Sequence, residues 1–324
     1  MSERPLVSFI VLSYKQEQFI RDAIRSAFEQ AYEPLEIVFS DDCSPDRTFE
    51  IIKEEVDSYR GPHKIVLNHN ESNLGLAGNV NRAFELAKGL FFVMAAGDDI
   101  SVCTRTTKLV HRWQDNLSPV DLVSSYFEDM DVDGKPTALT EELVKENAVY
   151  LPDVRLPVRK WRCGATGACA GYSRKLYDRY GPLDPRVIAE DAIFPFRAWL
   201  ESGIALIEEP LVKHRTHDRS LYVIHRNVNL IKQAESRRLV RQQATGDKLA
   251  RYKDWLRAWQ IARNAKDGRV EAELEQLIRL LELEWQAYDS GRVQALRAAI
   301  LSLGYRGGGR SAMRLIFRQV LCRY

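Results

Sequence analysis

Three pairs of adjacent acidic residues are the features of this sequence most able to do chemistry. They are Asp41-Asp42, Asp98-Asp99 and Glu190-Asp191. The first two pairs each follow a run of mainly apolar residues, at 35–40 and 90–96. In an open α/β sheet, ligands bind beyond the carboxyl ends of the strands, so such carboxylates meet in one crevice although about fifty residues separate them in the chain. They repel each other unless a cation or several hydrogen-bond donors offset their charge.

Oxygen ligands suit hard cations such as Mg²⁺ and Mn²⁺. A cation that bridges these carboxylates to a diphosphate would offset their repulsion, so the sequence predicts a site for a divalent cation and a diphosphate ligand. Each pair also has a purely structural interpretation. Asp41 would form an Asx turn leading into Ser44, whereas Asp98 or Asp99, like Asp191, would cap the helix that follows.

The elements that position these residues follow from the apolar patterns around them. Strands are predicted at 6–13, 35–40, 64–67, 90–96, 122–127 and 204–212, and helices at 16–31, 44–59, 84–88, 101–115 and 190–202, with a short helix ending near 181. The helix after the second strand is predicted to begin with Ser44 as its cap and Pro45 at its first position. The alternation predicts an α/β fold with a mainly parallel central sheet. Residues 135–160, which contain three prolines, are predicted to form a loop region over the site.

The composition is that of a soluble globular protein with one large core and a smaller appendage. Of its 324 residues, 45% are hydrophobic and 28% are charged. A first domain is predicted at 1–222, and helical spacing of apolar residues predicts a C-terminal α-helical region at 223–324. The five cysteines form no CxxC pair, and no apolar run is long enough to cross a membrane. We therefore expect a cytoplasmic protein without a disulfide framework.

The formal net charge of +2 hides a basic C-terminal segment. From Ser290 onward there are seven arginines and no acidic residue, so residues 1–289 carry the other 40 basic residues and all 45 acidic ones. This balance argues against nucleic acid as a partner of the main body. Arginines recur every fourth residue from Arg306 to Arg318, which predicts either an amphipathic helix on the anionic inner face of the plasma membrane or a packed helix with solvated arginines.

Five motifs in order identify a resemblance to a known family. They are Val7-Ser8-Phe9-Ile10-Val11-Leu12-Ser13-Tyr14, Asp41-Asp42-Cys43-Ser44-Pro45-Asp46, Asn73-Leu74-Gly75, Gly97-Asp98-Asp99-Ile100 and Glu190-Asp191. Over residues 5–220 the chain resembles the family 2 glycosyltransferases. The resemblance implies the GT-A nucleotide-sugar-binding fold and transfer of a sugar with inversion at its anomeric carbon.

The resemblance also implies how the donor, a nucleotide-diphosphate sugar with UDP favoured, is bound. Asp41-Asp42 would accept hydrogen bonds from the base and ribose. Tyr14 would pack on the base, although a tyrosine after a strand is usually just packed against its neighbours. The residues expected to bind the donor are Ser13, Tyr14, Asp41, Asp42, Gly75, Asn79, Asn81, Asp98, Asp99 and His217.

The divalent cation, Mg²⁺ or Mn²⁺, would be held by Asp98 and His217. The family's metal motif is usually Asp-x-Asp-Asp, and this sequence departs from it because Ala96 occupies the first position. Asp98 aligns with the residue that binds the cation. His217 lies in Arg215-Thr216-His217-Asp218-Arg219-Ser220, which reproduces an Arg-x-His-x-x-Ser pattern common in related enzymes. A histidine in such a position contacts the diphosphate, completes the metal shell or is merely structural.

Catalysis is assigned by the resemblance to Asp191, with Glu190 beside it. A sugar hydroxyl is a poor nucleophile until a positioned carboxylate takes its proton, and the second residue of this pair is the family's general base. The processive members carry Gln-x-x-Arg-Trp on the following helix. Here Arg197 and Trp199 are present but the glutamine is absent, so we expect non-processive transfer.

The sequence thus predicts an inverting, metal-dependent glycosyltransferase that acts on a hydroxyl of a glycan or lipid-linked glycan in surface polysaccharide synthesis. Two alternatives belong to other classes. A sugar nucleotidyltransferase should have a glycine-rich loop after the first strand, and Ser13-Tyr14-Lys15-Gln16-Glu17 contains no glycine. A non-catalytic nucleotide-binding scaffold is the other, and it would release no nucleoside diphosphate from a nucleotide sugar.

Overall fold

A computed structural model describes residues 4–137, 149–153, 155–217, 234–262 and 268–289. The chain divides into two compact units, residues 1–152 with 162–220, and residues 153–161 with 221–324. The predicted boundary between 222 and 223, Ser220, the basic segment from Ser290 and much of the predicted loop at 135–160 lie outside the described residues.

The first unit alternates strands with helices. Its elements are β1 (Val7–Ser13), α1 (Ile20–Phe28), β2 (Leu35–Asp41), α2 (Thr48–Ser58), β3 (Lys64–His69), α3 (Gly75–Leu86), β4 (Phe91–Ala96), β5 (Ile100–Ser101), α4 (Arg105–Trp113), β6 (Leu122–Met130), β7 (Ala170–Ser173), α5 (Arg174–Tyr180), α6 (Phe194–Leu200) and β8 (Ile204–Arg215). The strands form one sheet in the order β3-β2-β1-β4-β7-β6-β8-β5. The pairs β3-β2, β2-β1, β1-β4 and β6-β8 are parallel, and the pairs that involve β7 or β5 are antiparallel.

The parallel strands β1, β2 and β4 contribute to the buried core of the first unit. Phe9 of β1, Phe39 of β2 and Phe91 of β4 are completely buried, as expected for parallel strands that are covered on both faces. Ile20 and Ile24 of α1 lie one turn apart and pack into the same core. Since β1, β2, β3 and β4 run in one direction, the residues that follow them emerge at one edge of the sheet.

Several predicted elements differ from the structure. The helix predicted at 84–88 already begins at Gly75 and ends at Leu86, and the one predicted at 101–115 begins at Arg105, after the short strand β5. The helix after β2 begins at Thr48 rather than Ser44, because Asp46 Oδ1 accepts the Thr48 backbone N–H at 3.1 Å and Ser44 is bound to Asp41 instead. The segment predicted as one helix at 190–202 is a 3₁₀ turn at Glu190–Ala192 followed by α6, which carries Pro195 in its first turn.

The second unit contains two long helices, α7 (Ala234–Ile261) and α8 (Gly268–Asp289), which confirms the predicted helical C-terminal region for the residues described. Trp161 packs against Trp255 and Trp259 of α7, with ring centroids 6.4 and 6.5 Å apart. Glu273 of α8 accepts the backbone N–H of Val158 at 2.8 Å. Among the described residues, no helix is long and apolar enough to cross a membrane.

Candidate functional site

Asp41 ends β2 and is completely buried. Its Oδ1 accepts hydrogen bonds from the hydroxyls of Ser13 at 3.0 Å and Ser44 at 2.6 Å. Its Oδ2 accepts the Ser44 backbone N–H at 2.9 Å and lies 2.9 Å from Nδ1 of His69. Both carboxylate oxygens are therefore engaged within the protein, and Asp41 fixes the ends of β1, β2 and β3 relative to one another.

The hydrogen bonds that the described residues donate to the carboxylate of Asp42 all go to one of its two oxygens. Its Oδ1 accepts the side-chain amide of Asn70 at 2.9 Å and the backbone N–H of Leu74 at 2.8 Å. Among the described residues, nothing donates a hydrogen bond to its Oδ2. Of the two adjacent carboxylates, Asp42 is thus the one with an oxygen left for a ligand. Asn73 also donates to the Asp42 carbonyl at 3.3 Å, so the loop at 70–75 wraps around this residue.

A network of buried amides fixes the loop that holds Asp42. Asn79 donates to the Ser40 carbonyl at 3.0 Å and accepts from the Ser40 hydroxyl at 2.6 Å and from Asn70 at 3.1 Å. Asn81 forms two hydrogen bonds with the backbone of Leu183, at 2.8 and 2.9 Å. The side chains of Asn79 and Asn81 are thus bound within the protein, and their contact with the donor stays a prediction.

Two backbone conformations shape the rim near Asp42. Gly75 starts α3 at φ 72°, which glycine adopts without strain. Lys15 has φ 58°, a strained value for a non-glycine residue, and its N–H donates to the Ser44 hydroxyl at 2.9 Å. The ammonium of Lys15 lies 4.9 Å from the ring centroid of Tyr14, which is 40% exposed. The ring of Tyr14 is therefore presented to solvent, as an aromatic surface for a ligand would be.

The turn that carries Asp98 is held against β1. The Gly97 N–H donates to the Leu12 carbonyl at 2.9 Å. A Cβ on Gly97 would collide with the side-chain oxygen of Gln16 and would lie 3.2 Å from the Leu12 carbonyl oxygen. Glycine therefore lets the turn that carries Asp98 lie against β1 without displacing the side chain of Gln16.

Arg215, the last residue of β8, clamps the same turn from the other side. Its backbone N–H donates to Asp99 at 2.9 Å and its Nε donates to the Asp98 carbonyl at 3.0 Å. The guanidinium also pairs with Asp22 at 3.0 Å and lies 4.9 Å from the ring centroid of Phe19. Burial, together with the neighbouring charge of Asp98, raises the pKa of Asp99 to about 7. The acidic pair is therefore stabilised by donors on β8.

The side chain of Asp98 meets His217. Their Oδ2 and Nε2 atoms lie 2.9 Å apart, both side chains are mostly buried, and the imidazole packs on Phe19 with centroids 4.8 Å apart. This separation suits a hydrogen bond, and it also suits two neighbouring ligands of an octahedral cation, which lie roughly 2.9 Å apart when each bond is about 2.1 Å. Within the described part of the chain, no three His, Cys, Asp or Glu side chains are grouped to hold a metal ion. Asp98 and His217 therefore fit a cation that takes its remaining ligands from a bound molecule or water.

Glu190 and Asp191 are fixed by the segment before β7. The Ala165 N–H donates to the Asp191 carbonyl at 3.2 Å, and a Cβ on Gly167 would overlap a carboxyl oxygen of Glu190. Glu190 is buried, and that burial, together with the charge of Asp191, raises its pKa to about 7. Asp191 is more exposed than Glu190. The outer residue of the pair is thus the one suited to take a proton from a ligand.

The turn at 97–99 and the acidic pair at 190–191 are near one buried cluster. The charges of Glu190 and Asp191 act on the buried Tyr172, whose pKa is raised well above its ordinary value mainly by burial. The charge of Asp99 acts on the buried Arg105, and Arg105 and Tyr172 influence each other. Asp99, Glu190 and Asp191 therefore all lie near the buried residues Arg105 and Tyr172.

The structure adds residues that the sequence prediction missed. His69 and Asn70 hold Asp41 and Asp42, and both follow apolar residues of β3, which extends two residues beyond its predicted end at 67. The rule that residues at the carboxyl ends of parallel strands line the site would have predicted both, had it been applied to β3. Arg105 carried no such signal, because an arginine at the start of a helix is usually exposed.

Comparisons with known proteins identify the family of the chain. Residues 8–181 match the model of the family described as "Glycosyl transferase family 2". The chain is 34% identical over 106 residues to the UDP-Glc:alpha-D-GlcNAc-diphosphoundecaprenol beta-1,3-glucosyltransferase WfaP of Escherichia coli, covering 33% of this chain and 40% of that protein. It is 27% identical over 229 residues to the uncharacterized glycosyltransferase EpsJ of Bacillus subtilis, covering 67% of this chain and 63% of that protein.

The fold has solved counterparts. The mannosyltransferase PcManGT of Pyrobaculum calidifontis, in complex with GDP-Man and Mn²⁺, superposes with a TM-score of 0.54 at 19% sequence identity, covering 98% of this chain and 87% of that one. This likeness concerns the fold, and it confirms the predicted α/β architecture. The chain spans less than two thirds of the length of the two curated relatives.

Glu190 predicts a measurable pH dependence of stability. In the folded protein its carboxyl keeps a proton up to about pH 7, whereas an ordinary glutamate releases it near 4.5. The folded state therefore binds more protons than the unfolded state in this window, and its stability falls as pH rises. Glu190→Gln removes this contribution. We expect the variant to lose less stability than the wild type between pH 4.5 and 7, by on the order of 1–3 kcal/mol.

Urea unfolding at several pH values measures this difference. Glu50→Gln, an exposed substitution on α2, is the matched control and should behave like the wild type. Parallel pH profiles for Glu190→Gln and the wild type would show that Glu190 titrates normally.

Proposed function

Because the chain belongs to glycosyl transferase family 2, we propose that it transfers a sugar, with inversion, from a nucleotide-diphosphate sugar to a hydroxyl of a glycan or lipid-linked glycan. The observation that carries this proposal is a set of carboxylates with different surroundings, of which Asp42 and Asp98 follow parallel strands. Among the described residues nothing donates to Oδ2 of Asp42, Asp98 faces His217, and Asp191 is more exposed than its neighbour Glu190.

The nucleoside would bind at the ends of β1 and β2. The free oxygen of Asp42 can accept a hydrogen bond from a ribose hydroxyl or an imide N–H, and the exposed ring of Tyr14 can stack on the base. Asp41, whose oxygens are already engaged, would position these groups rather than contact the donor. UDP is the favoured nucleotide because the WfaP relative is named for UDP-Glc.

Asp98 and His217 would hold a divalent cation, Mg²⁺ or Mn²⁺, beside the diphosphate. The cation would supply positive charge that offsets the charge developing on the leaving group. Mn²⁺ accompanies GDP-Man in the PcManGT complex, which supports this assignment. Because Ala96 stands where the usual motif has its first aspartate, the protein would supply two ligands to the cation, Asp98 and His217.

Asp191 would be the general base. The acceptor oxygen attacks the anomeric carbon while the bond from that carbon to the diphosphate oxygen breaks, and Asp191 takes the hydroxyl proton. A single displacement of this kind inverts the configuration. Glu190, buried behind Asp191, would stay protonated below about pH 7 and leave the charge on Asp191.

Substitution of Asp191 by Asn tests the base. We expect transfer to fall by about 10²–10⁴-fold while the affinity for the nucleotide changes little, since an amide cannot take the proton. Asp184→Asn, which removes a surface carboxylate paired with Arg186, is the matched control. Transfer by Asp191→Asn at close to the wild-type rate would exclude Asp191 as the base.

Substitution of Asp98 by Asn tests the cation site. We expect Mn²⁺ to strengthen UDP binding to the wild type, and this gain to drop at least about tenfold in Asp98→Asn, because loss of even an outer-shell partner costs a metal site that much. Isothermal titration calorimetry with and without Mn²⁺ measures the gain. Asp115→Asn, at a half-buried surface position after α4, should leave it unchanged. An equal gain in Asp98→Asn would refute the site.

The acceptor is proposed to be a lipid-linked glycan of surface polysaccharide synthesis, and the WfaP relative is named for a diphosphoundecaprenol-linked sugar as its acceptor. The basic segment at 305–324 would then hold the enzyme at an anionic membrane. We expect the full chain, but not a chain that lacks 305–324, to sediment with vesicles containing phosphatidylserine. Equal sedimentation of the two proteins would show that this segment is not the anchor.

A further inference from the structure

We propose that Arg105 is a positioning residue that ties the strand leading to Asp98 to the turn packed against the acidic pair at 190–191, an inference that rests on the proposed function. Arg105 is the first residue of α4 and its side chain is completely buried. Its Nη2 donates to two backbone carbonyls, those of Met94 and Ala168, both at 2.7 Å. Its Nη1 donates to the Ser101 hydroxyl at 2.9 Å.

The two carbonyls lie in two different segments, one that leads to Asp98 and one that contacts Glu190. Met94 lies in β4, four residues before Asp98. Ala168 lies in the short 3₁₀ turn before β7, beside Gly167, which abuts the carboxyl of Glu190. One guanidinium nitrogen therefore connects the strand that leads to Asp98 with the turn that packs against the acidic pair.

The guanidinium of Arg105 lies just beyond the last residue pair between β4 and β7. β4 and β7 pair antiparallel from Phe91 with Ser173 to Val93 with Gly171, and the pairing stops there. Beyond Val93 the next carbonyl of β4, that of Met94, accepts from Arg105 instead of from β7. Where the hydrogen bonds between β4 and β7 end, Arg105 thus connects β4 to the turn that precedes β7.

Burying this charge is costly, which indicates that it has a role beyond packing. Nε of Arg105 has no hydrogen-bond partner among the described residues. Burial lowers the pKa of Arg105 to about 10, so the group stays charged at neutral pH, and the nearby Asp99 favours the charged form. An apolar side chain would fill the same volume without the desolvation cost. Nη2 reaches the two carbonyls while Nη1 reaches the Ser101 hydroxyl, and an apolar residue or a lysine lacks this planar pair of nitrogens.

Two substitutions test this role. Arg105→Met removes the hydrogen bonds, and Arg105→Lys keeps the charge but not the fork. We expect kcat to fall about tenfold to a hundredfold in both variants, because a small displacement between base and leaving group has an effect of that size. The KM for the donor should change less than about threefold, since the nucleoside site at β1 and β2 is untouched. A kcat for Arg105→Lys equal to that of the wild type would mean that charge suffices, and would overturn the proposal.

Hydrogen exchange provides a readout that needs no activity. We expect backbone amides of residues 164–169 to exchange at least about tenfold faster in both variants, while peptides from β1 and β2 keep their rates. Arg174→Met is the matched control, because it removes an arginine-to-carbonyl bond, to Ala87 at 2.6 Å, at the opposite end of β4. Unchanged exchange at 164–169 in folded Arg105→Lys would refute the positioning role.

These measurements separate this inference from the function on which it rests. If the wild-type protein transfers no sugar and releases no nucleoside diphosphate from any donor, the proposed function fails. The exchange rates at 164–169 still decide whether Arg105 joins the two segments.

Discussion

The structure depends on one electrostatic constraint, which is that several carboxylates must be kept close together at one edge of a sheet. Parallel strands bring Asp41, Asp42 and Asp98 to that edge whatever the chemistry requires. Each carboxylate then needs a distinct set of donors to stay there. Asp41 takes hydroxyls, a backbone N–H and an imidazole, Asp42 takes an amide and a backbone N–H, and Asp98 takes an imidazole.

The uneven distribution of those donors gives each carboxylate its role. A carboxylate with both oxygens engaged, such as Asp41, organises the loops. One with a spare oxygen, such as Asp42, can bind a ligand. Glu190 is desolvated and beside Asp191, so it keeps its proton to about pH 7, and the pair carries one charge rather than two below that pH. Two buried arginines, Arg105 and Arg215, supply positive charge close to Asp99.

Much of this arrangement could be predicted from the sequence, because strand ends and acidic pairs are local signals. The α/β fold and the family were predicted correctly. The exact limits of elements were not, since they depend on distant contacts. Ser44 fails to cap α2 because Asp41 uses its hydroxyl. β7 was missed because Ala170 and Gly171 resemble a loop, and Gly171 is required there by the ring of Phe91, which leaves no room for a Cβ.

Asn81 and Arg105 bind residues that are distant from them in the sequence, so no local sequence pattern predicts these contacts. Asn81 binds Leu183 and Arg105 binds Ala168, contacts that exist only once the sheet has formed. Such residues look like surface amides and surface charges in a sequence. Their effect on the site is to fix distances between segments that carry chemistry.

Anomalous diffraction from crystals grown with UDP and Mn²⁺ tests the central claim most directly. The account predicts one manganese peak bonded to Asp98 Oδ2 and His217 Nε2 at about 2.1–2.3 Å, with the diphosphate on its open side and the carboxylate of Asp191 facing the same cavity. A manganese ion bound elsewhere, or a diphosphate that does not reach the Asp98 turn, would contradict it.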